Sequence, residues 1–192
     1  MPIKIRFTFF SPWHMGSGLG EGAYLDALPV KTPSGLPYIP GRTVKGVLRE
    51  AVQTAEDFKA VAPGTTVRLF GSRDKDLSRY ETTPGLLRFS SATLEEISEE
   101  WAADEHNGQA VSGLYYPLAS TKIGACGLAD DKTLHKIEVT HPVPLVAEVT
   151  GDGDTSSWLA ALEKALPLIR QIGSHRHRGL GRVQVTIEGG KS

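Results

Sequence analysis

Three scarcities narrow the field before any motif is read. The 192 residues contain one cysteine, Cys126, which rules out an internal disulfide and makes a reducing cytoplasm the expected compartment. A lone cysteine among small residues is given no role. No apolar run approaches the ~20 residues that a helix needs to cross a bilayer, so no membrane partner is expected. The opening MPIKIRFTFF alternates apolar and polar residues, where a signal peptide would show a basic start and an unbroken apolar stretch. Net charge is nearly absent too: 21 Lys and Arg stand against 22 Asp and Glu, for a formal charge of -1. That balance excludes bulk attraction to a polyanion, so any nucleic acid must be held by local patches.

One such patch is plain. From Ser174 to Arg182 the chain reads SHRHRGLGR, with three arginines, two histidines and no acid. A metal site would not surround itself with fixed positive charge, whereas phosphate contact explains the composition. A mobile, solvated loop is the bland alternative.

Periodicity supplies the elements. Ile3 to Phe10 alternates, predicting a half-buried strand. The segment from Ser11 to Arg42 is turn-rich. Thr43 can cap a helix whose face is Val44, Val47, Leu48, Ala51, Val52 and Ala55, with Lys45 and Arg49 one turn apart on the polar side. Cations at a helix N-terminus oppose the macrodipole, unless a docked phosphate is served by amides and side chains together. Phe58 to Thr83 reads as irregular and Leu86 to Phe89 as a short strand. Leu94 to Glu105 holds six acids and reads as a solvated helix face. Tyr115 to Glu138 is an extended excursion or hairpin, and Leu145 to Val149 another strand. A helix from Ser156 or Ser157 carries Trp158, Leu159, Leu162, Leu166 and Ile169, kinked at Pro167 and stopped at Gly173. Val183, Val185 and Ile187 end the pattern as a strand. The order strand, helix, strand, strand, helix, strand predicts an α+β, ferredoxin-like (RNA-recognition-type) βαββαβ core in one domain over residues 1–192, with a long glycine-rich loop and an insertion. The aromatic RNA-reading motif is missing from the strands, so loops are the better readers.

GLGEGA, Gly18 to Ala23, fits a dinucleotide-binding pattern formally, but Pro29 interrupts the helix that should follow. Those glycines instead permit close backbone approach to another chain. Asp26 is an isolated acid in the same loop; by composition alone it is a turn former or a catalytic group.

Taken in order, "PWHMGSG", Asp26, "GLPYIPGRTVKGVLREA", "LFGS", "GLLRFSSATL" and "GSHRHRGLGRVQV" resemble the repeat-associated mysterious protein (RAMP) superfamily of CRISPR systems. The similarity is greatest to the backbone subunits of type III effector complexes and runs from about Ile3 to Ile187. It rests on the pair "PYIPGRTVKGVLR" and "RGLGRV" in that order and spacing. The resemblance implies a ferredoxin-like core with a thumb hairpin, here at about 120–136, stacked with other subunits along a guide CRISPR RNA and opposite a target RNA. It implies guide-backbone contacts at His14, Arg42, Thr43, Lys45 and Arg49, and at Ser174, His175, Arg176, His177, Arg178, Gly179, Gly181 and Arg182.

In the catalytic branch, a loop Asp supports target cleavage with a divalent metal ion, Mg2+ or Mn2+. Alignment on "KTP" puts Asp26 in that slot, as catalytic acid and metal ligand; alignment on Pro29 and Val30 puts Ala27 there. "GRTVKG" stands where the family has "GSSLKG", adding a cation. A non-catalytic end subunit, or a guide-processing ribonuclease using His14 or a loop histidine, are the rival expectations.

Overall fold

The computed structural model describes residues 2–21, 24–72, 82–121, 128 and 134–188. In chain order its elements are β1 (Ile3–Phe9), α1 (Gly41–Asp57), α2 (Thr65–Phe70), β2 (Leu87–Phe89), α3 (Glu99–Ala103), α4 (Gly108–Ser112), β3 (Tyr115–Ser120), β4 (His135–Thr140), β5 (Leu145–Gly151), α5 (Ser156–Ala165) and β6 (Val183–Ile187).

Alternation along β1 decides which face of the sheet is covered. Ile5, Phe7 and Phe9 are buried on one side, while Lys4, Arg6 and Thr8 stay on the other. β1 lies between β5 and β6, and β2 pairs with the far edge of β5, so the sheet runs β2-β5-β1-β6 with every neighbour antiparallel. With α1 after β1 and α5 after β5, this is the ferredoxin-like arrangement. Val44, Leu48, Val52 and Ala55 of α1 and Trp158, Leu162 and Ala165 of α5 share one core with the inner residues of the sheet. Each large apolar side chain enclosed there contributes about 1.5–3 kcal/mol.

Several expectations are corrected. α1 begins at Gly41, two residues before Thr43, so Thr43 lies in the first turn and caps nothing. Pro40 takes the cap position with φ -56°, and the Gly41 amide donates to Ser91 Oγ at 3.2 Å. Only glycine fits at 41, because a Cβ there would lie 2.8 Å from the Phe89 carbonyl oxygen. Pro167 does not kink a continuing helix. α5 ends at Ala165, and Leu166–Leu168 form a single 3-10 turn, so Gly173 has no helix to stop.

The stretch read as irregular contains α2. The Glu56 carboxylate accepts from the Gly64 and Thr66 amides and the Thr66 hydroxyl at 2.6–2.8 Å. Within the acidic stretch the five residues of α3 are α-helical, and Glu105 begins a 3-10 turn. Ser98 Oγ accepts from the Trp101 amide at 3.1 Å, and Ala102 packs with Leu36 and Val111 in a small second core. Glu99 accepts from Ser34, and Glu95 pairs with Lys4 and Arg6. These acids are engaged, not merely solvated.

The insertion also forms an antiparallel hairpin, with β3 and β4 in register from Tyr115 opposite Thr140 to Ser120 opposite His135. The expected thumb, 120–136, falls at its tip, where 122–127 and 129–133 lie outside the described residues. No described helix is long and apolar enough to cross a membrane.

Candidate nucleic-acid interface

The late loop is displayed between anchored ends. Its ends are stitched to the segment that follows β1. The Phe10 amide donates to the Arg182 carbonyl at 2.8 Å and the Gly181 amide to that of Pro12 at 2.8 Å. The Ser174 amide donates to that of His14 at 2.9 Å. Two glycines make this approach possible. Gly173 has φ +97°, and a Cβ there would lie 2.5 Å from the His14 carbonyl oxygen; at Gly181, φ +74°, a Cβ would collide with the Ile172 carbonyl oxygen. Leu180 is buried with Ile137 and Val139 of β4 in a third small core, with Ala27 packed beside it. Between these anchors His175 takes a left-handed conformation, φ +58°, and Arg176–Arg178 form a 3-10 turn closed by Gly179. Residues 175–179 and Arg182 are exposed.

His14 differs from the expectation of direct strand contact. Its ring is enclosed, 1% exposed, and its Nδ1 donates to the Glu138 carbonyl at 2.7 Å. Burial pushes the imidazole below its usual pKa; the Glu138 carbonyl opposes that shift and nearby His175 adds to it. Its carbonyl holds Ser174 and its ring meets His175 edge-on at 6.2 Å. His14 supports the loop from below.

The early and late segments border a common groove through Arg49, Arg170 and Arg176, with the acids Glu50 and Asp57 beside them; Arg42, Lys45, Arg178 and Arg182 are not among its lining residues. The groove has a volume of about 1260 Å³ and is lined on one side by α1, with Thr43, Val47, Arg49 and Glu50, and on the other by the run from Leu168 to Ser174 and Arg176. Arg49 is partly committed, donating from Nη1 to the Gly71 carbonyl at 2.8 Å. Arg42 is exposed and Lys45 half-buried. Among the described residues no acid pairs with Arg42, Lys45, Arg176, Arg178 or Arg182, whereas Lys4, Arg6, Lys31 and Arg88 each have one.

Asp26 precedes Ala27, which packs on the Leu180 core. Its amide donates to the Lys136 carbonyl at 2.7 Å, and its Oδ2 accepts from the Lys136 amide at 2.7 Å. The side chain is 47% exposed, and His135 Nδ1 stands 3.3 Å from Oδ2. Ala27, the other candidate for the slot, is bridged to Ile137 and packs on the third core. Lys136 Nζ lies 5.5 Å from the centre of the exposed Tyr24 ring. The fit to a divalent ion is poor. Among the described residues no group of three His, Cys, Asp or Glu side chains could hold one, and one Asp26 oxygen is already hydrogen-bonded. His135 and Lys136 were missed in the sequence, because nothing local to either signals that β4 runs beside the Asp26 loop.

The family model described as the RAMP superfamily matches residues 6–184. No curated protein matches the sequence. Among solved structures, a chain of "Type III-B Cmr-beta Cryo-EM structure of the Apo state" is similar with TM-score 0.73 at 10% identity, over 98% of both chains. A chain of "Cryo-EM structure of the Type III-B Cmr-beta bound to cognate target RNA" is similar with TM-score 0.72 at 9% identity, over 97% of both.

Proposed function

The chain belongs to the RAMP superfamily, and on that premise we propose that it is a guide-RNA-binding backbone subunit of a type III CRISPR effector complex that also cleaves target RNA beside Asp26. One observation carries the binding half: Arg176, Arg178 and Arg182 stand exposed with no acidic partner among the described residues, on a loop whose Arg176 borders one groove with Arg49 of α1. Unpaired cations on an anchored loop suit a phosphate chain, which is gripped without reading its bases. Sequence is then left to pairing between guide and target, as in RNA-guided recognition generally. The likeness in fold to chains of type III-B complexes, one of them bound to cognate target RNA, supports the same assignment. For the guide-processing alternative, the enclosed His14 ring is poorly placed for general acid–base work on a strand, which leaves that reading to the exposed loop histidines His175 and His177.

The test is guide affinity measured against salt. Replacing Arg176, Arg178 and Arg182 together by glutamine should weaken guide binding ~30–100-fold near physiological salt and reduce the slope of log K against log salt by about 2, at ~0.7 per phosphate contact on a single strand. Unchanged affinity and slope would overturn the assignment.

A further inference from the structure

We propose that the groove between α1 and the run from Leu168 to Ser174 holds an extended segment of a different protein, added as a strand to the backbone edge at Gln171. The inference rests on the reading of this chain as a subunit of an effector complex and names a polypeptide contact which that reading leaves open.

The backbone of the run comes first. The Ile172 amide donates to the Gly181 carbonyl and the Val183 amide to the Arg170 carbonyl, both at 2.9 Å, and Gln171 stands opposite Arg182 in an antiparallel bridge. Hydrogen-bonding directions alternate along an extended chain, so the amide and carbonyl of Gln171 point the opposite way, away from the start of β6. Neither has a backbone partner among the described residues, and the Gln171 side chain is occupied separately, donating to the Arg176 carbonyl at 3.0 Å. An open edge of this kind is a template for one more strand.

The other wall leaves room for it. Gly46 lies inside α1, is exposed and lines the groove, and a Cβ there would meet nothing within 4 Å. Gly41, in the same helix, is different: a Cβ there would lie 2.8 Å from the Phe89 carbonyl oxygen. Glycine destabilises a helix interior relative to alanine, so a glycine that no internal contact requires marks a place where another chain can approach closely.

The lining favours a polypeptide over a nucleic acid. Val47 and Leu168 offer apolar surface, Leu168 being 45% exposed. Glu50 and Asp57 are exposed on the α1 side, and neither is paired with a cation among the described residues; the Gln53 side-chain amide donates to Asp57 Oδ1 at 2.9 Å. Of the arginines on the groove, Arg49 donates to the Gly71 carbonyl, Arg170 is exposed, and Arg176 belongs to the loop assigned to the guide. Carboxylates repel phosphates, whereas a segment carrying a basic side chain beside an apolar one complements both kinds of surface. The described strands of this chain are all paired already, so the added strand comes from a different protein.

The test compares the isolated chain with the ribonucleoprotein assembled from guide RNA and its protein subunits. Amide hydrogen exchange at Gln171 should be fast in the isolated chain and at least ~10-fold slower in the assembly. A photo-reactive phenylalanine analogue in place of Gln53 should cross-link, in the assembly, to a peptide of another protein with Lys or Arg beside an apolar residue. Gly46→Ala should raise the melting temperature of the isolated chain by about 2–4 °C. Gly46→Leu, which fills the space, should abolish both the Gln171 protection and the cross-link while guide affinity stays at the wild-type value. Unchanged exchange at Gln171, a cross-link to RNA or to this chain's own sequence, or lost guide affinity in Gly46→Leu would each overturn the proposal. So would a lower melting temperature for Gly46→Ala, since the fold itself would then require the glycine. A wild-type assembly that protects Gln171 yet holds no guide RNA would instead sink the function proposed above and leave this contact standing.

Discussion

On the open face of the sheet, Lys4 and Arg6 share Glu95 at 2.7 Å each, and Arg6 also reaches Glu188. On the late loop, Arg176, Arg178 and Arg182 have no acid among the described residues. Both regions are basic in sequence, and they differ in what surrounds them. The sheet-face cations lie beside acids from the insertion and from the end of β6, so their field is cancelled within a few ångströms. The loop cations are raised on a turn whose ends are buried and whose middle is not. Neutralised charge belongs to the fold, while uncompensated charge on an anchored loop is set toward a polyanion.

The largest effect should come from breaking the loop without touching its charge. Gly181→Ala places a methyl group against the Ile172 carbonyl and demands a positive φ from alanine, a cost of about 3 kcal/mol or more. Thermal melting should show that loss. Guide binding should fall in the fraction that remains folded, although every arginine is present. If affinity stays intact, charge alone suffices and geometry does not matter.

Acidification should act next, through His14 beneath the loop. Its folded-state pKa is depressed by burial, so the unfolded chain binds the proton more tightly. The stabilising contribution of the neutral ring is present above the unfolded value, near 6.5, and is lost as pH falls. The melting temperature of the wild type should therefore drop more between pH 7.5 and 5.5 than that of His14→Gln. Equal slopes would mean that His14 is not enclosed as described.

The smallest effect should come from unpairing the other region. Glu95 is held below the usual carboxylate range chiefly by its hydrogen bond from Lys4, with Arg6 adding to it. Glu95→Gln frees Lys4 and leaves Arg6 with Glu188 alone at a partly exposed surface site, so melting should hardly move. Non-specific RNA binding should rise a few-fold and become steeper in salt, as each uncompensated cation adds counterion release. No change there would show that acidic neighbours are not what distinguishes the two regions.

Much of this was legible from spacing. Period two gave the strands, and the face from Val44 to Ala55 gave α1, because one long-range core imposes one pattern on each element. Boundaries were less legible where tertiary contact decided them. Thr43 has the chemistry of a cap, but the chain turns into α1 at Pro40, where Gly41 lets the backbone close on Phe89. Arg49 and His14 looked like surface ligands, but their partners, Gly71 and Glu138, are backbone carbonyls on other elements. His135 gave no signal, since its neighbour Asp26 comes from a loop joined to it only by folding.

The separation of anchors from cargo in the late loop has an engineering consequence. Gly173, Leu180 and Gly181 hold it down, while positions 175 to 178 carry the chemistry and bury none of it. Those four positions form a cassette. Positions 176 to 178 can be rewritten in sign or size while the surrounding domain keeps its shape, whereas 175 must keep a residue that accepts a positive φ, so a library confined to those three would tune grip on a strand independently of thermostability.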